Sequence, residues 1–232
     1  MLQRLKPYLP EFVYGGIDGS ITTFAVVAGA SGADLSAGIV IILGLANLIA
    51  DGFSMSVGNY LSTRSEQDSY HKHLKQEQWE IEHQPAEEIE EIRQIYRQKG
   101  FEGELLEQVV TVITADRERW IDTMMKEELE MMPSNKAPFS TALMTFVAFL
   151  TVGLIPLLIY LVNYFSGVDS ENEFFISSIL TSLAFVLIGF LTSYVNEVNR
   201  LKGMLETLAL GGVAAALAYY VGFFLEKMVG VG

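Results

Sequence analysis

Cysteine is absent from these 232 residues, which excludes disulfides, thiolate metal ligands and cysteine nucleophiles, and leaves oxygen, nitrogen and methionine sulfur for any metal site. Charge is scarce as well. Only 19% of residues are Asp, Glu, Lys or Arg, half are hydrophobic, and mean hydropathy is positive, too apolar for an ordinary soluble domain of this size. No run of Lys and Arg is present, and the formal net charge is -13, so nucleic-acid binding lacks its electrostatic footprint. The sequence also lacks GxxxxGK[ST], GxGxxG and GxSxG, so this chain carries no residues for ATP-driven transport, dinucleotide chemistry or hydrolase chemistry. Neither an internal repeat nor a low-complexity segment is present. A cleaved signal peptide is not expected, because Pro7, Pro10 and Glu11 interrupt the short basic start and the next apolar run holds Asp18.

What is present is long apolar runs. Five segments, about 12–32, 36–62, 139–165, 174–197 and 205–227, each approach or exceed the roughly 20 helical residues that cross a bilayer core. The expected fold class is an all-α membrane protein: helices one and two in 1–63, a helical insert in 64–137, and helices three to five in 138–232. The insert is acidic, with 18 Asp and Glu against 10 Lys and Arg. Placing the N-terminus inside puts fourteen of the fifteen basic residues on the inner side, Lys227 alone outside, and leaves the acidic stretch Asp169–Glu173 in an outer loop. The insert is therefore expected in the cytoplasm and the C-terminus across the membrane. Within the insert, Ser65–Glu82 is read as a continuation of the second span, Pro85–Gln98 as a helix after the Gln84–Pro85 break, and Glu104–Met131 as one helix after Gly100.

Two features suggest chemistry. The first is ionisable residues inside spans, where a carboxylate costs about 2.5–3.5 kcal/mol near the bilayer centre. Asp18 and Asp51 are such residues, and Asn47, Asp51, Met55 and Asn59 recur every fourth position as one stripe along the second span. Such a stripe suits an ion path; it equally suits hydrogen bonding between helices and, for Met55, packing. The small-xxx-small pairs Gly15/Gly19 and Ser54/Gly58 read as close helix approach. The second feature is paired glutamates. Glu77 and Glu80, like Glu88 and Glu91, stand three apart on a helical face, with Met124, Met125 and Glu128 on a later helix. Brought together they form an oxygen-rich shell with sulfur beside it, suited to Fe(II) or Mn(II), although acidic residues on an amphipathic helix are also its ordinary solvated face. Glu80-x-x-His83 has the spacing of half a di-iron site, but its second motif is missing; His71 and His73 read as surface residues.

Two segments, Asp18-Gly-Ser-Ile-Thr-Thr-Phe-Ala-Val-Val-Ala-Gly-Ala-Ser-Gly32 and Phe53-Ser-Met-Ser-Val-Gly-Asn-Tyr-Leu-Ser-Thr-Arg-Ser-Glu66, closely resemble the signature spans of the vacuolar iron transporter family, and the resemblance extends over nearly the whole chain. It implies a homodimer that moves Fe(II), and often Mn(II), out of the cytosol in exchange for protons, with the first spans lining the path. Those metals are cargo and insert ligands, and no permanent cofactor or enzymatic activity is implied. It matches Asp18 and Met55 to the pathway, and Glu77, Glu80, Glu88, Glu91, Met124, Met125 and Glu128 to the metal-binding insert. One position departs: Asn47 stands where many eukaryotic members have a glutamate, with Asp51 one turn later. The compact chain looks like a prokaryotic plasma-membrane member. The competing expectations are a membrane-anchored iron-binding or iron-oxidising protein and a passive cation channel.

Overall fold

The computed structural model describes residues 6–168 and 172–230; Arg4 and most of the acidic stretch from Asp169 lie outside them. All regular structure among the described residues is helical. The order is a 3₁₀ turn at Lys6–Tyr8, then α1 (Leu9–Gly32), α2 (Ala37–His83), α3 (Pro85–Gln98), α4 (Gly103–Thr114), α5 (Arg117–Thr123), a π-helical turn (Met124–Glu128), α6 (Pro138–Gly153), a 3₁₀ turn (Ile155–Leu157), α7 (Leu158–Ser166), α8 (Glu173–Val195) and α9 (Arg200–Val229). Among the described residues five helical stretches are long and apolar enough to cross a membrane: Leu9–Gly32, Ala37–His83, Pro138–Ser166, Glu173–Val195 and Arg200–Val229. The protein is thus an all-helical chain with the composition of an integral membrane protein.

Two compact units emerge. One comprises 1–61 and 136–232, the other 62–135, and α2 contributes residues to both. In the first, α1 is the most enclosed of the five candidate spans. Its glycines explain this: a Cβ on Gly15 would stand 2.6 Å from the Thr145 carbonyl oxygen, and one on Gly19 only 2.5 Å from that of Phe149. Backbone therefore meets backbone along α1 and α6, as small residues permit in membranes where lipid tails compete for apolar contacts. Gly19→Ala should lower the thermal unfolding midpoint in detergent measurably, because an added methyl in a filled contact costs about 1–3 kcal/mol. An unchanged midpoint would show that α1 and α6 can separate freely. By contrast, a Cβ on Gly58 would meet nothing within 4 Å and Ser54 is exposed, so the expected second small-residue contact does not form within the chain.

The third span is not one smooth helix. Pro156 cannot donate to the helical ladder, and the chain tightens into the 3₁₀ turn there; the Pro156 carbonyl instead accepts from the Ser177 hydroxyl of α8 at 2.6 Å. Between these helices Phe24, Val27, Val40, Leu157, Tyr160 and Phe185 form the apolar centre.

The second unit has its own core, in which Ile81, Ile92, Leu106, Val110, Ile113 and Trp120 surround Met124 and Met125. Pro85 begins α3, its missing N–H being no loss in a first turn. Gly100 and Gly103 take φ of +92° and +58°, where a side chain would be strained. The expected single helix Glu104–Met131 is corrected. It breaks at Ala115–Asp116, where the Asp116 carboxylate accepts from the Arg119 N–H at 2.8 Å and caps α5, and its end widens into the π turn.

Candidate metal centre and intramembrane carboxylates

Charge pairing sorts the acidic residues of the second unit. Arg93 bridges Glu90 and Glu107, Lys99 pairs with Glu127, Arg117 with Glu82, and Lys126 with Asp122 at 2.7 Å. None of these ion pairs takes Glu77, Glu80, Glu88, Glu91 or Glu128. These five, from α2, α3 and the π turn, lie within electrostatic reach of one another and receive no basic partner among the described residues. Glu77 and Glu88 are each only 4% exposed, and the Oε2 atom of each is buried with no hydrogen-bond partner. Leaving buried carboxylate oxygens unsatisfied is costly, on the order of 1–3 kcal/mol even for neutral polar groups.

The electrostatics follow from that placement. Burial, reinforced by Glu128, Glu80 and Glu91, raises the Glu77 carboxyl to about 7. Burial and then Glu91, Glu77, Glu80 and Glu128 raise Glu88 to about 8. Glu91 and Glu128 are raised as well, by burial first and by neighbouring carboxylates second. Met124 and Met125 are 0% and 1% exposed in the same core, and the π turn that contains them also carries Glu128. Among the described residues no three His, Asp or Glu side chains are already closed into a ligand set. The donor chemistry nonetheless fits a divalent cation: unpaired carboxylate oxygens, two of them orphaned, whose mutual repulsion a cation removes.

The histidines stand apart. His83 Nδ1 lies 2.8 Å from the Trp79 carbonyl with its ring stacked on that indole, and His71 Nδ1 lies 2.6 Å from the Gln67 carbonyl. Glu80 and His83 are therefore not drawn into one half of a di-iron site.

In the first unit, Asp18 is half-buried on α1 and within electrostatic reach of Asp51 on α2. The Asn47 amide donates to Asp51 Oδ2 at 2.6 Å, holding that carboxylate one turn away. Met55 is half-buried on the same helix. Asn59 departs from the stripe, because its amide donates to Thr145 Oγ1 of α6 at 2.7 Å; beside it Ser56 donates to the Ala142 carbonyl at 2.8 Å. That end of the stripe ties helices together. Sequence reasoning missed a cavity of about 320 Å³ at the far end of α1, lined by Ser31, Asp34, Tyr160, Glu173 and Tyr219. Tyr160 Oη lies 3.2 Å from Ser31 Oγ, and Glu173 accepts from Asn163 at 2.8 Å. The only cue was two acidic residues at span ends.

Comparison with known proteins agrees with this layout. Residues 9–223 match the model of the VIT family. The chain is 34% identical over 210 residues to Vacuolar iron transporter 1 of Eucalyptus grandis, covering 90% of this chain and 83% of that protein. It is 33% identical over 229 residues to the vacuolar iron transporter of Toxoplasma gondii, covering 96% and 76%, and 32% identical over 220 residues to Vacuolar iron transporter 1 of Arabidopsis thaliana, covering 94% and 85%. With its helical spans, its separate acidic unit and a match along nearly its full length, the chain belongs to the VIT family.

Proposed function

We propose that this protein is a divalent metal-ion transporter that carries Fe(II), and Mn(II) by the same ligands, out of the cytosol in exchange for protons. The observation that carries the reading is the set of five clustered glutamates, two of them buried, left without a basic partner among the described residues beside two buried methionines, in a unit where Asp68, Glu82, Glu90, Glu107, Asp122 and Glu127 do pair with bases. Support also comes from the names of the relatives, which are iron transporters. In this account the insert faces the cytoplasm and concentrates the cation on Glu77, Glu80, Glu88, Glu91 and Glu128, with Met124 and Met125 adding sulfur that favours softer ions. Met55 and Asp18 then pass the ion through the membrane, and Asp51, oriented by Asn47, is the second carboxylate available for protonation.

The working form is a homodimer. Asp51 is exposed on an α2 face that also exposes Ser54 and Gly58, three and seven positions on, and a carboxylate turned to lipid costs about 2.5–3.5 kcal/mol, a cost that a second copy covering this face removes. Because the chain has no cysteine, single cysteines at Ser54 and Gly58 should cross-link two copies in membranes. Failure at both positions contradicts the dimer. The membrane is proposed to be a prokaryotic plasma membrane, with the N-terminus inside and the C-terminus outside.

The test is Fe(II) entry into proteoliposomes that contain a metal-sensitive dye. Met55→Leu keeps the volume and loses the thioether, so Fe(II) entry should slow about tenfold while purification and oligomeric state are unchanged. Equal rates would remove Met55 from the path.

A further inference from the structure

At the end of the first unit where α8 turns into α9, a pocket of about 510 Å³ opens beside the start of α1. Leu9, Pro10, Val195 and Val198 form its apolar wall, and it contains one base and one acid, Arg200 and Glu197. These two charges do not pair. Among the described residues neither forms an ion pair or side-chain hydrogen bond, whereas Lys202 in the same turn of helix lies 3.6 Å from Glu206. The Arg200 guanidinium instead lies over two rings, 5.4 Å from the centre of Phe190 and 5.8 Å from that of Tyr194. Stacking holds the base on the pocket wall while leaving its N–H groups free for an acceptor. Glu197, also in the pocket lining, has a left-handed backbone, φ +54°.

The α9 N-terminus is not the recognition element. Asn199 Oδ1 already accepts from the Leu201 and Lys202 N–H groups at 3.0 and 3.3 Å. A second observation points to the shape of the occupant. Pro10 and Val195 also line a narrower groove of about 220 Å³ that runs between α1 and α8 past Val13, Tyr14, Ile17 and Thr192. A charged pocket thus opens into an almost wholly apolar channel along the membrane-spanning helices, the profile of a headgroup with an acyl chain.

We infer that this pocket binds a zwitterionic phospholipid with a primary ammonium, phosphatidylethanolamine, with its phosphate on Arg200, its ammonium on Glu197 and one acyl chain in the α1–α8 groove. An unpaired base and an unpaired acid in one pocket match a headgroup that carries both charges. A glycerol headgroup offers Glu197 hydroxyls but no positive charge, and a choline headgroup offers Glu197 no N–H donor.

The purified, delipidated full-length protein should be titrated with phosphatidylethanolamine, phosphatidylglycerol and phosphatidylcholine, and bound lipid read by native mass spectrometry. Wild type should retain phosphatidylethanolamine about tenfold over the other two. Arg200→Ala should lose that retention, and Glu197→Gln should make phosphatidylethanolamine and phosphatidylglycerol equal. Both positions are exposed, so lipid-free melting should match wild type in both variants, which separates lost binding from lost folding. Equal retention of the three lipids by wild type, a preference for phosphatidylglycerol, or unchanged retention in either variant overturns the assignment.

Discussion

Asp18→Ala should reduce Fe(II) entry into proteoliposomes to the rate of protein-free vesicles, the largest loss expected from any single substitution here. Asp18 is the carboxylate in the middle of α1, the most enclosed span, whose other acid, Glu11, is paired with Lys136 in the first turn; among the described residues Asp51 is the carboxylate set against Asp18. A dication passing through a low-dielectric interior needs fixed negative charge, and a barrier raised by only about 3 kcal/mol slows passage by more than 100-fold. Asp18→Asn separates charge from shape: it keeps the volume and should fail nearly as badly. If the asparagine variant transports at the wild-type rate, Asp18 is a packing residue.

The second large effect is a pair of opposite changes in the insert. Glu77→Gln with Glu88→Gln should weaken Mn(II) binding about 100-fold by titration calorimetry, since two ligands of the site lose their charge. The same double variant should be more stable than wild type without metal at pH 8. The sign follows from the raised carboxyls. Their folded values, about 7 and about 8, lie above the ordinary 4.5, so their contribution to stability is fully present below about pH 4.5 and is lost as pH rises through 7 to 8. The metal-free wild type should therefore melt lower at pH 8 than at pH 5.5. The glutamines remove that loss, an expected gain on the order of 5 °C for a unit of this size. Metal should restore the wild type at pH 8 and do nothing for the variant. A double variant that melts lower at pH 8 while still binding Mn(II) would contradict the reading of these glutamates as a repelling, cation-seeking set.

Some of this was legible in the chain itself. The five spans announce themselves as apolar runs, and Pro85 sets the start of α3 because proline suits only a first helical turn. The edges were less legible: α9 begins at Arg200 rather than near 205, because Asn199 caps a polar first turn that hydropathy cannot see. The break before α5 was hidden for the opposite reason. Apolar positions keep helical spacing straight through Ala115–Asp116, and only the cap formed by Asp116 ends one helix and starts the next. The π turn that brings Met124 and Met125 into the core leaves no periodic trace at all.

The site divides in the same way. Glu77 with Glu80, and Glu88 with Glu91, were visible as spaced pairs, but spacing cannot separate a ligand from a solvated acid. That distinction is tertiary: Arg93 reaches Glu107 fourteen positions away and Arg117 reaches Glu82 thirty-five positions back, which leaves the other glutamates bare. Asn59 makes the converse point. Its place in the stripe with Asn47, Asp51 and Met55 suggested a path, and its bond to Thr145 makes it a tie between helices.

Exchange of metal for protons is tested most directly by simultaneous reading of a metal dye and a pH dye inside proteoliposomes given Fe(II) outside. With an acidic interior, Fe(II) should accumulate above its external concentration while the interior becomes more alkaline, and both signals should vanish when an ionophore collapses the proton gradient. Fe(II) that merely equilibrates, at a rate indifferent to the gradient and with no change in internal pH, would identify a passive channel and contradict the account.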